Sequence, residues 1–287
     1  MSKKRKPAST GSVGDIQQSC INKRQALSQL KRRMKEFKLH FRTEKQHLFY
    51  NTISENDLTF CAGPAGSGKT YIAVAYALQV LADRNTPIDG IVITKPLVEA
   101  SGEKIGFLPG DVDEKTDPFM MSYWCNMHKL VEREALNVLT YSKVIEVIPM
   151  AYMRGVTLDN KIVILDEAQN ATPEQMKMLL TRIGDKSKYI ICGDIEQTDR
   201  KDTNGLLDGL LRFSNMNHVG VCTFDKEDIV RNPLISKILD RYALDIPDRD
   251  IRQFGEVGDG GGDLSVLYQK FIRHADKSDI PNITNKG

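Results

Sequence analysis

Leu58-Thr59-Phe60-Cys61-Ala62-Gly63-Pro64-Ala65-Gly66-Ser67-Gly68-Lys69-Thr70 is the stretch on which the fold turns. Its first five residues form a short apolar, β-prone run. The next eight satisfy G-x-x-x-x-G-K-[ST] in full, and a helix-forming segment with Ala73, Ala75 and Ala77 follows at once. Strand, glycine loop and helix in that order make a phosphate cradle. Glycines let the backbone curl until its N–H groups face phosphate oxygens, and the helix N-terminus adds partial positive charge. Lys69 is then placed to reach the β- and γ-phosphates of ATP, and Thr70 to offer its hydroxyl to Mg²⁺.

A second strand-like run, Ile162-Val163-Ile164-Leu165, ends in the carboxylate pair Asp166-Glu167. The two acids have different expected roles: Asp166 holds Mg²⁺ or its bound water, while Glu167 accepts a proton from the water attacking the γ-phosphate. Ordinary GTPase switches and small-molecule kinases usually lack the second acid, so the pair favours an ATP-hydrolysing core. Gly193-Asp194-Ile195-Glu196-Gln197 follows another apolar run, at the strand end where open α/β sheets bind ligands. Gln197 is there a candidate to orient water or sense the γ-phosphate. Gln46, 17 residues before the glycine loop, is a candidate to read the adenine edge through its amide.

Between and around these motifs the pattern repeats as strand, loop and helix. Apolar β-rich runs fall at 58–62, 88–94, 144–148, 162–165, 189–192 and 219–224. Helical candidates fall at 69–83, 173–183, 203–213 and 226–244. Runs with no polar alternation are strands buried on both faces, which implies an α/β fold with a mostly parallel sheet and helices on both faces. Residues 101–137, which carry Trp124, break the rhythm and read as an insertion.

The termini differ from this core 46–244. Residues 1–20 are basic and rich in Pro, Ser and Gly, and are expected to be disordered. In 21–45, Leu27, Leu30, Met34, Phe37 and Phe41 recur at helical spacing among Lys31, Arg32, Arg33, Lys35 and Lys38, a basic amphipathic helix docked on the core or on a neighbouring subunit. Residues 245–287 read as an acidic and Gly-rich linker with a C-terminal tail. The first 45 residues carry a net +10 in a chain whose total is +2, so the remaining 242 carry −8. A concentrated basic arm is suited to a phosphate backbone, or else is a solvated tail. Five widely spaced cysteines suggest neither a disulfide framework nor a metal site, and a cytoplasmic location is expected. No apolar run is long enough for a membrane span, and no signal peptide is expected.

Four segments together resemble the PhoH-like family of phosphate-starvation-associated ATPases, whose core is similar to that of superfamily 1 helicases. They are Phe60 to Thr70, Gly106-Phe107-Leu108-Pro109-Gly110-Asp111, Leu165-Asp166-Glu167-Ala168-Gln169-Asn170 and Leu180-Thr181-Arg182-Ile183-Gly184. The glycine loop is generic; the Gly-Phe-Leu-Pro-Gly-Asp segment is far more diagnostic. The resemblance runs from about Glu44 to Leu244 and implies a RecA-like P-loop NTPase. It places Gln46 at a helicase-like Q motif, Asp166 and Glu167 at motif II, and Asp194 with Gln197 at motif III. Arg231 falls where the family carries an arginine able to act as a finger, with Arg154 and Arg182 as competing candidates. Two positions depart from the family pattern: Lys95 stands where arginine is usual, and Asn232 where histidine is usual.

The resemblance implies an ATP-driven remodeller or helicase acting on RNA or single-stranded nucleic acid. The loops 94–99 and 152–157, with Tyr152 and Phe107 for stacking, are candidate polynucleotide contacts. A single RecA-like core lacks the second core that a monomeric helicase uses, so a homo-oligomer such as a hexameric ring would supply the finger. The alternative is an ATPase switch or assembly factor acting on a protein partner. A nucleotide or small-molecule kinase is disfavoured by Glu167 and Gln197, and no separate carboxylate cluster suggests a nuclease. A compact, single-core form of this kind suits a phage or a bacterium.

Overall fold

The computed structural model describes residues 13–96, 123–195, 197 and 204–230. The chain divides into two compact units, Met1–Val230 and Arg231–Gly287, and every described residue lies in the first. Among the described residues six strands form one sheet: β1 (Leu58–Ala62), β2 (Gly90–Thr94), β3 (Ile145–Val147), β4 (Lys161–Leu165), β5 (Lys188–Gly193) and β6 (Val219–Thr223). Every pairing is parallel, in the order β3-β2-β4-β5-β1-β6. The expected α/β architecture of RecA-like type is therefore the one observed.

Alternation along the strands explains why their sequences are apolar throughout. Cys61, Ile162, Ile164 and Ile190 face one core, while Phe60, Val163, Leu165 and Ile191 face the other. The first core is covered by α3 (Lys69–Ala82), α4 (residues 123–130) and α5 (Arg133–Tyr141); the second by α6 (Pro173–Leu180) and α7 (Gly205–Phe213). α4 lies within the segment read as an insertion, and α5 straddles its end.

Helix α3 has no polar face: Ile72 through Leu78 are all buried. A helix apolar all round needs cover on its outer side as well, and α1 (Val13–Glu36) supplies it through Ala26, Leu30 and Met34. The basic helix thus docks on the chain's own core. Its bounds differ from the expected 21–45, beginning at Val13 inside the stretch read as disordered and ending at Glu36. The physical reason for the early stop lies downstream. Thr43 accepts a hydrogen bond from Gln46 N and caps a separate helix, α2 (Glu44–Glu55). Phe41 packs edge-on against Tyr50 of α2, with centroids 5.6 Å apart, instead of continuing the α1 stripe.

The helix expected over 226–244 also begins differently. Lys226–Asp228 form a single 3-10 turn closed by an Asp225/Asp228 capping box, and residues after Val230 lie outside the described set. No helix among the described residues is long and apolar enough to cross a membrane.

Strand order creates the site. The chain enters at β1, crosses to β2 and β3, returns through β4 and β5, and leaves by β6 on the other flank of β1. Such a reversal opens a crevice at the carboxyl ends of the strands. Register brings the exits of β1, β5, β4 and β2 level, with Ala62 beside Gly193, Leu165 beside Ile191 and Thr94 beside Leu165.

Candidate nucleotide-binding site

The glycine loop leaves β1 at Gly63, whose N–H bonds to Gly193 O at 3.1 Å. Gly63 has φ +154°, and a Cβ there would lie 2.7 Å from Phe224 O, so only glycine fits between β1 and the end of β6. Gly68 at φ +90° turns the loop into α3. Lys69 is 7% exposed; its ammonium donates to Gly63 O at 2.7 Å and Pro64 O at 2.9 Å. Carbonyls of the loop thus hold the cation where phosphate oxygens would compete for it. A cavity of about 550 Å³ opens beside the loop, lined in part by Gly63, Pro64, Asp194 and Phe224. Lys69, Thr70 and Asp166 do not line it.

Across the sheet, Thr70 Oγ1 donates to Asp166 Oδ2 at 2.9 Å, and Tyr123 OH donates to the same oxygen at 3.2 Å. Burial raises the Asp166 carboxyl above its ordinary value, and the charge of Glu167 pushes the same way; the Thr70 hydrogen bond opposes both. Hydroxyl and carboxylate in contact, with a charge disfavoured by its surroundings, fit a Mg²⁺ held by a few protein oxygens and substrate phosphates. Thr94, whose carbonyl accepts Asp166 N at 3.0 Å, adds a buried hydroxyl with no hydrogen-bond partner among the described residues. Among the described residues no cluster of three or more His, Cys, Asp or Glu offers an all-protein cage.

Glu167 is exposed and sits in the left-handed region at φ 53°, ψ 37°, a conformation that costs an L-residue about 1–2 kcal/mol. Its carboxylate accepts from Gln169 Nε2 at 2.7 Å, while Gln169 Oε1 accepts from Asp194 N at 2.9 Å. Asp194 Oδ2 in turn accepts from Ala65 N at 3.2 Å. One relay therefore runs from the expected base, through the 2%-exposed Gln169, to the end of β5 and the glycine loop. Gln169 carried no local signal beyond lying in the family-like segment.

Lys95 follows β2, and burial pulls its ammonium below the ordinary lysine value, against the charges of Glu167 and Asp166. It stands close enough to Asp166 and Glu167 to feel both charges. Gln46 is 4% exposed and bonds to the glycine loop: Nε2 donates to Ser67 O at 2.9 Å, and Oε1 accepts from Arg42 N at 2.8 Å. Contact with an adenine edge requires one of these bonds to exchange. Gln197 is exposed beyond the end of β5, and Arg231 and Phe107 lie outside the described residues.

Arg182 stands by the amino ends of β4 and β5, at the end of the sheet opposite the glycine loop: its carbonyl accepts from Leu158 N, just before β4. Tyr152 and Arg154 are exposed at and after the 3-10 turn Met150–Met153, whose Met150 N bonds to Lys95 O at 3.3 Å. The chain after β6 crosses the glycine loop, with Val230 N bonded to Gly66 O at 3.1 Å.

A parallel sheet with a glycine loop closed by lysine and threonine at the exit of β1, and an Asp-Glu pair at the exit of β4, one strand beyond the neighbouring β5, defines a P-loop NTPase. The chain belongs to the PhoH-like protein family, whose model matches residues 38–243. A PhoH-like protein of Synechocystis is 44% identical over 203 residues, covering 70% of this chain and 61% of the relative. One from Bacillus subtilis is 43% identical over 206 residues, covering 71% and 64%. Protein PhoH of Escherichia coli is 41% identical over 209 residues, covering 70% and 57%. The chain thus spans less than two thirds of the length of these relatives. Among solved structures, the Hef helicase domain of Pyrococcus furiosus overlaps 80% of this chain and 54% of its own, at TM-score 0.40 and 13% identity. The large terminase of a thermophilic bacteriophage overlaps 71% and 51%, at TM-score 0.40 and 13% identity. Likenesses this remote carry no functional weight.

Proposed function

We propose that this protein hydrolyses ATP and uses the cycle to remodel RNA or single-stranded nucleic acid. The observation that carries the reading is the relay from Glu167 through Gln169 and Asp194 to Ala65, which joins the expected base, a strand-end loop and the phosphate loop in one network. Lys69 leaves the loop carbonyls for the β- and γ-phosphates. Thr70 and Asp166 are the residues that hold Mg²⁺, which when bound draws charge from the phosphate oxygens. Glu167, exposed just past the end of β4, takes the proton of the attacking water. Asp194 senses the loss of the γ-phosphate through Ala65. Exits of β2 and β3, with Lys95, Tyr152 and Arg154, are the surface whose grip on a polynucleotide changes.

The same reading has copies of the chain share their sites, Arg231 of one completing the nucleotide site of the next. Mixed Arg231→Ala and Lys69→Ala subunits should then regain partial turnover that neither has alone. The deciding experiment is ATP hydrolysis with and without single-stranded RNA, single-stranded DNA and duplex. Stimulation by a single strand is expected. Hydrolysis that no polynucleotide changes would move the reading to an ATPase switch with a protein partner.

A further inference from the structure

We propose that Tyr123 is a positioning residue of the metal site, holding Asp166 in the orientation that receives Mg²⁺ and tying helix α4 to that site. The proposal rests on the reading of Asp166 as the Mg²⁺ carboxylate.

Tyr123 is 1% exposed, and a buried phenol needs an acceptor. It finds one 43 residues away, on the Asp166 oxygen that also accepts from Thr70. A carboxylate oxygen gripped by two hydroxyls from different helices has little freedom to rotate. The phenol has a property that a lysine or arginine here would lack, because it supplies a charge-assisted hydrogen bond without bringing a positive charge. Asp166 keeps its full charge for the metal.

The ring is firmly placed. Met127 and Leu130, one and two turns further along α4, are buried in the same core. Leu130 O also accepts from Arg33 Nε of α1 at 3.3 Å. A residue of the segment read as an insertion thus reaches the centre of the nucleotide site. When Thr70 turns its hydroxyl to Mg²⁺, Tyr123 remains as the donor that keeps Asp166 aimed.

Tyr123→Phe keeps the ring and removes only the donor. Mn²⁺ binding is measured by electron paramagnetic resonance in the presence of a non-hydrolysable ATP analogue, alongside analogue affinity in EDTA and the melting temperature. Loss of a partner that orients a metal ligand typically weakens affinity about 10–100-fold, and that loss is expected with analogue affinity in EDTA unchanged. In an Asp166→Asn background the same substitution should weaken Mn²⁺ no further. A lowered melting temperature with parental Mn²⁺ affinity would show that the hydroxyl only satisfies its own burial, and overturns the proposal. An equal further loss in the Asp166→Asn background overturns it too. Absence of nucleotide-dependent Mn²⁺ binding in the parental protein would sink the reading of Asp166 itself, a separate result.

Discussion

Replacing Gln169 by leucine tests whether the relay belongs to catalysis. The substitution fills a similar volume and removes both ends of the amide: the 2.7 Å bond to Glu167 Oε2 and the 2.9 Å bond from Asp194 N. A hydrogen bond to a charged group is worth about 1.5–3 kcal/mol, and the low end applies because Glu167 is exposed. At about 1.4 kcal/mol per decade this is about a tenfold loss in kcat. Glu167 adds a reason for the loss to appear in turnover. Its left-handed backbone is held by Asn170 N at 2.9 Å and by Gln169, and without the amide the carboxylate can leave the reacting water. The other end removes the Gln169 acceptor of Asp194 N, at a cost to stability of up to about 1–3 kcal/mol.

Steady-state hydrolysis should therefore show kcat about tenfold lower, with ATP affinity in the presence of Mg²⁺ near parental. The decisive comparison is a double-mutant cycle with Glu167→Gln, which alone should cost about 10²–10⁴ in kcat by removing the general base. If Gln169 acts through Glu167, the double variant is no slower than Glu167→Gln. A Gln169→Leu protein at parental turnover, or one that slows Glu167→Gln by a further tenfold, refutes the reasoning.

Asp166→Asn should raise the melting temperature of the nucleotide-free protein at neutral pH while abolishing turnover. The folded-state carboxyl titrates above its unfolded value, chiefly through burial and then through Glu167. The folded state therefore binds more protons in that window, and its stability falls as pH rises through it. The gain from Asn should be full at neutral pH and vanish below the ordinary carboxylate range; a gain independent of pH contradicts the assignment. Gly63→Ala should weaken ATP binding at least about tenfold, since its Cβ would meet Phe224 O at 2.7 Å and force the loop off β6; calorimetric titration reads this directly, and parental affinity would show that the loop adapts. Replacing exposed Lys31, Arg32, Lys35 and Lys38 by serine, leaving Arg33 with its bond to Leu130 O, should leave melting unchanged. It should also flatten the salt dependence of single-strand binding by about 0.7 in log-log slope for each phosphate that the helix ceases to neutralise. An unchanged slope makes that face a solvated one.

The parts of this protein legible in the sequence are those whose signals are local. The glycine loop, the strands on either side of it and the Asp166-Glu167 pair could be read because turn chemistry and hydrophobic runs act over a few residues. Strand bounds came within two residues of those observed; 58–62 matched, and Gly90–Thr94 is the core of the expected 88–94. Strand order and long-range packing emerged only in the folded chain. β5 lies between β1 and β4, which sets Asp194 between the loop and the acids, and no local pattern specifies a crossover. α1 covers α3, an outcome that the stripe on one helix could not distinguish from docking on a second subunit. Phe41 fits a helical period on paper, yet it serves α2, because Thr43 caps a new helix just beyond it. Tyr123 and Gln169 are an ordinary tyrosine and glutamine until the fold carries one across 43 residues to Asp166 and the other across 25 to Asp194. Hydrogen bonds of that kind are chosen by which buried groups must find partners, a question that arises only once the sheet has closed around them.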